Sequence, residues 1–286
     1  MGKGRSSAGG AARDDESKSP TKPFTDVHAI VFADFGLSVR EPFTAEQLTR
    51  LHEAMAPTLL AEGFERDPAD EEAEEGSVVY HRLTSGTGEI IEEFHIHANH
   101  VHLFVNEYRG WQVTKKIALD RLAPMWALVS DPTFGLANAR LVLGYKDAFS
   151  NADPRSNSSH DVFKPNPLLP QYVFDAGLFW RYQLTLMEIG TKELPWDNFA
   201  RLEVEARVQN MAEDEGDEAE RVLVHSTDIT HRQQLAGNSD GDPAVEWSAG
   251  TVERKFDHLH DRNKQVMVEL LSADMAERIG LTEGEA

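Results

Sequence analysis

Leu48, Leu51, Met55 and Leu59 recur at the three- and four-residue spacing of a single helical face. Thr44 and Gln47 precede them as a capping-box pair, Phe43 is placed to staple onto Leu48, and Gly63 marks the end, so the pattern predicts a helix that begins at Thr44. Upstream, Val27 to Leu37 is dense in β-branched and aromatic residues and predicts a strand. Further strands are predicted over Ser77 to Thr84, Glu89 to His97 and His100 to Asn106. Trp111 to Leu128 predicts a second helix that buries Val113, Ile117, Leu122 and Trp126 despite Pro124 near its end. Ala139 to Phe149 closes this half as a strand.

Residues 150–170 turn to Asn, Ser, Asp and Pro, which predicts a connecting loop with polyproline character. Beyond it the period becomes two. Trp180, Tyr182, Leu184 and Leu186 alternate with polar residues over Phe179 to Ile189, and Leu202, Val204, Ala206 and Val208 do so over Ala200 to Val208. Such strands have one wet face, which argues for antiparallel pairing. Arg221 to Thr230 predicts another strand, and Ala236 to Pro243 a loop. A long helix is predicted from near Thr251, burying Phe256, Leu259, Val266, Met267 and Leu270, followed by a short helix capped by Ser272.

The predicted fold class is therefore α+β, a largely antiparallel sheet with helices packed on one face. Its two halves read β-α-β-β-β-α-β and then β-β-β-α-α. The expected division is a disordered tail at 1-22, an N-terminal half at 23-150, a linker at 151-170 and a C-terminal half at 171-286, the halves packing as one unit.

Charge changes the picture in one respect. The chain has 49 Asp and Glu against 28 Lys and Arg, a formal net charge of -21, and two acidic runs, Glu65 to Glu75 and Glu213 to Glu220, predict surface loops. A field of that sign repels phosphate backbones, so bare DNA or RNA is not the expected partner. A basic protein surface would suit it, although acidity alone also serves solubility. No apolar run approaches the ~20 residues that a bilayer crossing requires, and residues 1–22 lack the apolar core of a secretory signal, which predicts a cytoplasmic protein with no membrane partner. With no cysteine, disulfides, thiolate nucleophiles and cysteine-bound metals are excluded, so a metal would need His, Asp or Glu.

The phosphate loop, the dinucleotide-binding glycine pattern, the nucleophile elbow and the H-E-x-x-H zinc motif are all missing from the chain. Ser158, Ser159, His160 and Asp161 have the residue types of a catalytic triad, but a contiguous run cannot close on itself. His258 and His260, flanked by Asp257 and Asp261, point about 200° apart on a helix, which favours a polar face with one partly buried histidine. A small-molecule pocket between the sheet and its helices is a further expectation, with Phe179, Trp180 and Tyr182 as candidate lining.

The strongest candidate chemistry lies in the run from Phe94 to Phe104. If Ala98 and Asn99 form a two-residue hairpin turn, His97 stands opposite His100 and His95 opposite His102, and all four rings share one sheet face. The weak point is Ala98, a poor residue for the positive φ that a type I′ turn needs first. A row of neutral imidazoles at a surface or interface, a Zn²⁺ or other divalent-metal site, and a pH-responsive cluster are the open readings.

The order of segments resembles a bacterial family catalogued only as "sporadically distributed" proteins. The resemblance rests on VHAIVFADF and FTAEQLTRLHEAM, HVHLFVNEYRGWQVTKKI, LVLGYKDAF and the closing LHDRNKQVMVELLSADMAERIGL, spanning Val27 to Leu281. The chain departs from that pattern at Gly144, Tyr145, Lys146 and Asp147, where a more basic, Asn-containing stretch is usual, and in lacking a Pro-rich start. The resemblance implies no catalytic residues and no cofactor. It implies a non-catalytic binding or adaptor protein acting with a partner encoded nearby, as in defence or toxin-antitoxin loci. The alternative expectation is a His-site metal enzyme or a small-molecule sensor.

Overall fold

The protein is described from a computed structural model, which covers residues 21–25, 28–67, 77–136, 138–153, 158–191, 196–212, 221–236 and 246–281. The tail expected at 1-22 lies outside the described residues up to 20, as do 68–76 and 213–220 of the acidic runs.

Ten strands form one antiparallel sheet in the order β3-β4-β5-β6-β2-β7-β10-β9-β8, with β1 beside β7. They are β1 (Lys22–Pro23), β2 (Ile30–Val39), β3 (Glu65–Arg66), β4 (Val78–Leu83), β5 (Ile90–His97), β6 (His100–Val105), β7 (Ala139–Asn151), β8 (Trp180–Glu188), β9 (Asn198–Ala212) and β10 (Arg221–Ala236). The two halves meet inside this sheet, because β7 pairs with β2 on one side and with β10 on the other. The mixed α+β class and antiparallel sheet expected from the alternation are what the chain forms.

Six helices are described: α1 (Ala45–Ala61), α2 (Trp111–Val129), α3 (Ser159–Val162), α4 (Tyr172–Asp175), α5 (Ala249–Leu270) and α6 (Ala273–Arg278). All bury side chains in two core clusters on the same face of the sheet. The first gathers Phe35, Leu37, Phe94, Leu103 and Leu143 under α1, α2 and the start of α5. The second gathers Phe149, Leu202, Val204 and Ile229 under α3, α4, the end of α5 and α6. Val162, Phe163 and Leu169, in the stretch that reads as a linker, are buried members of it. No helix among the described residues is long and apolar enough to cross a membrane.

Local rules account for the ends of α1. Thr44 Oγ1 accepts from the backbone N–H of Gln47, and Thr44 N–H donates to Gln47 Oε1, so two of the orphan groups of the first turn are satisfied reciprocally. Leu48, Leu51, Met55 and Leu59 are its buried stripe. Thr44→Ala should lower stability by about 1 kcal/mol in urea unfolding; an unchanged midpoint would show that the sheet alone holds α1. On α2 the stripe differs from expectation. Val113 is exposed, and the buried side is Thr114, Ala118, Leu122, Met125, Trp126 and Val129, because Lys115 turns inward to Asp257 and Glu253 of α5.

Candidate functional site

Along β7 every second residue, Ala139, Leu141, Leu143, Tyr145, Asp147 and Phe149, is buried, and the pairing puts this set under the helices. Asp147 is the one acid in that row. Its Cα partners are Ile30 on β2 and Ile229 on β10, so apolar residues flank it on both sides. The β2–β7 register shifts between Ile30 and Phe32, a local irregularity of the kind that loosens a sheet and re-aims side chains beside sites.

Above the carboxyl lies a cavity of about 500 Å³, walled by His28, Ile30 and Tyr108 on one side and by His260, Asn263 and Met267 of α5 on the other. Arg109 and Lys264 are at its edge. Asp147 is 3% exposed, and its Oδ2 is buried without a hydrogen-bond partner. Burial disfavours the ionised form and lifts its pKa to about 7, against an ordinary 3.8.

The neighbouring groups are held neutral by the same dryness. Burial, followed by the charge of Asp147, raises the Tyr108 hydroxyl above its usual range, and burial also raises the fully enclosed Tyr145. His260 falls to about 4, first through burial and then through Lys264. Its Nδ1 is 3.0 Å from Tyr145 Oη, and its ring stacks on Trp111 with centroids 4.1 Å apart. Trp111 is itself fixed by donating from Nε1 to Asp257. His28 packs edge-on against Tyr108 at 5.5 Å. Burial lowers its pKa against bonding from the backbone at Ile30 and Tyr108, while its Nδ1 is buried with no partner. Behind this wall His231 donates from Nδ1 to Asn263 Oδ1, fixing Asn263 beside the cavity.

The four histidines of the hairpin lie on the opposite face, on which no described helix packs. His97 pairs with His100 and His95 with His102, the register expected from the sequence. The turn is not type I′, since Asn138 is the only non-glycine residue with positive φ among those described. Tertiary bonds hold it instead: Phe43 N–H donates to Ala98 O at 2.6 Å and Val39 N–H to Asn99 O at 2.9 Å. Neighbouring rings of the row stand 4.6 to 5.7 Å apart, His97 and His100 being the closest.

Each ring already has protein partners. His102 donates from Nδ1 to Asp34 and accepts at Nε2 from Arg232 at 2.9 Å, so both nitrogens are engaged. His95 contacts Glu93, His97 contacts Ser77, and His100 donates from Nδ1 to Asn99. Among the described residues no group of three or more His, Asp or Glu side chains stands where it would hold a metal ion.

The remaining candidates separate cleanly. Ser158 and Asp161 form the capping box of α3, and His160 packs on Phe174. Trp180 and Tyr182 pack against the second core while Phe179 is exposed, so the sheet–helix cavity described above lies elsewhere, beneath α5. His260, one of the pair expected to give a polar face with one partly buried histidine, is a wall of that cavity. Asp147 was noted in the sequence only as a departure from a family pattern; its place on an apolar alternation is the signal that would have found it. No protein-family model, curated protein or solved structure matches the chain.

Proposed function

We propose that the protein is a small-molecule binding protein whose ligand enters the cavity between β7 and α5 and hydrogen-bonds to Asp147. The observation that carries this reading is the unpartnered Oδ2 of a buried carboxyl that opens on a cavity of about 500 Å³. A buried polar group without a partner costs roughly 1 to 3 kcal/mol, and a purely structural acid would be paired. Perturbed titration in a cavity is the usual mark of a site.

The two orphan atoms also define the ligand. At pH 8 the ionised Asp147 Oδ2 is an acceptor, and His28 Nδ1 is a second buried atom without a partner in the cavity wall. The ligand is then a compact molecule with N–H donors on a largely apolar frame, such as an amine or a nitrogen heterocycle. This reading takes up the small-molecule alternative expected from the sequence in place of the adaptor for a basic protein.

A thermal-shift panel of putrescine, histamine, tryptamine, adenine and cytosine tests it at pH 8. At a hundred times its dissociation constant a ligand adds about 2.7 kcal/mol, or roughly 5 to 10 °C for a chain of this size. At least one member should do so with wild type and leave Asp147→Asn unmoved. A panel with no shift, or equal shifts for wild type and Asp147→Asn, would remove the reading.

A further inference from the structure

One end of the sheet face opposite the helices has a charge pattern opposite to that of the whole chain. Read across the strands, one row runs His97, His100, Ser38, Arg140; the next runs His95, His102, Gly36, Val142, Gln234; and the third runs Glu93, Phe104, Asp34, Gly144, Arg232. At one end of these rows lies a pocket of about 380 Å³ lined by Ser38, Val39, Arg40, Asn99, His100, Arg140, Arg232 and Gln234. Three of these eight are arginines and none is acidic, in a chain where acids outnumber Lys and Arg by 49 to 28.

Two of the guanidiniums are already ordered. Arg140 lies over the Phe199 ring at 4.5 Å and donates to Gln234 Oε1 at 3.2 Å. Arg232 donates to His102 Nε2, and its Nε is 3.7 Å from Asp34 Oδ2. The partner set fixes the tautomer of His102: the carboxylate of Asp34 takes the Nδ1 proton, and only a bare Nε2 accepts from a guanidinium. Asp34 and His102, 4% and 1% exposed, thus act as positioning residues for Arg232. Glycine makes room for them, because a Cβ at Gly144 would stand 3.3 Å from Asp34 Cβ and 3.6 Å from Arg232 Cγ. Side chains held in place before a ligand arrives lose less freedom when it binds.

We propose that this pocket binds the phosphoryl group of a small phosphorylated molecule. Three guanidiniums less the one adjacent carboxylate leave two positive charges, which match a phosphate monoester of about −1.5 to −2 at pH 7. Its oxygens can be met by the arginine forks together with the Ser38 hydroxyl and the side-chain amide of Asn99, whose Oδ1 is taken by His100. A carboxylate would need only one fork. A phosphodiester chain is disfavoured, since the net charge of -21 on the chain repels a strand that extends beyond the pocket.

Calorimetric titration of the full chain with inorganic phosphate, glycerol 3-phosphate, acetate and a single-stranded oligonucleotide tests this. Saturable binding of glycerol 3-phosphate is expected, at least about tenfold weaker in Arg40→Gln and in Arg140→Gln, and partly retained in Arg140→Lys, which keeps the charge but loses the fork. Arg40 is exposed, so its variant tests the pocket without disturbing the fold. No saturable heat from either phosphate probe up to about 10 mM, or binding that survives Arg40→Gln and Arg140→Gln unchanged in proteins that melt like wild type, would overturn the proposal. So would acetate binding as well as the phosphates, or an oligonucleotide binding more tightly than they do.

Discussion

Replacing Gly36 with alanine should cost on the order of 3 kcal/mol or more, and lower the melting temperature by roughly 10 °C. Gly36 sits in the middle of the sheet, paired with His102 on β6 and Val142 on β7. A Cβ there would stand 2.2 Å from the carbonyl oxygen of Val101 and 3.1 Å from the Cα of His102. Both are backbone atoms of a paired strand, so relief requires the β2–β6 ladder to open. Gly144→Ala is the control, because its nearest neighbours are side-chain atoms of Asp34 and Arg232 that can give by a few tenths of an ångström. It should cost about 1 kcal/mol or less and act on the ordering of Arg232 rather than on the fold. Differential scanning calorimetry of the two variants separates these outcomes. A Gly36→Ala melt within about 2 °C of wild type would mean that β2 and β6 are less rigidly paired than their register implies.

What could be read in the sequence divides along the range of the interactions involved. The capping box at Thr44, the stripe of α1 and the cap of α6 at Ser272 are local devices, and all stand where the spacing put them. The His95–His102 register was legible because period-two alternation on both arms of the hairpin excludes a one-residue slip, and a two-residue turn at Ala98 and Asn99 then sets the pairing. The way its turn closes was not, since the bonds to Ala98 and Asn99 come from residues more than fifty positions upstream. The stripe of α2 was misread for a similar reason. Lys115 counts as polar in any pattern, yet it is buried by carboxylates more than a hundred residues away. Asp147 was half legible: alternation through Leu141, Leu143 and Tyr145 places it on the apolar face, but nothing local tells a buried acid from a strand that has ended. The arginine pocket draws on four separate segments, and neither charge totals nor motifs reveal such convergence.

Asp147→Asn should make the protein more stable at pH 8, which is the reverse of what an ordinary core substitution does. The sign follows from linkage. In the unfolded chain the carboxyl ionises near 3.8, whereas in the fold it stays protonated until about 7, so between these values the folded state holds the extra proton. Stability from this group is full below the unfolded value and is lost as pH rises towards 7, after which the loss is constant. At 1.36 kcal/mol per pKa unit, the part lost between pH 5 and pH 8 is on the order of 3 kcal/mol. The buried histidines act in the other direction. His28 and His260 face the same cavity with lowered pKa values, so they remain neutral in the fold and cost stability as pH falls below about 6.5. Tyr108 and Tyr145 stay protonated throughout this range, and the Arg109 guanidinium at the cavity edge, its pKa raised first by its hydrogen bond to Glu107, stays charged. The wild-type profile is therefore a sum of opposed slopes, and the informative quantity is the difference between wild type and Asp147→Asn. Urea unfolding at pH 5, 6, 7 and 8 should show that difference growing in favour of the variant up to about pH 7 and then levelling. A site residue whose removal stabilises the fold is one retained for what it binds. Parallel profiles for the two proteins would mean that Asp147 is ionised and satisfied in the folded state, and the cavity would then lack the acceptor on which the small-molecule reading depends.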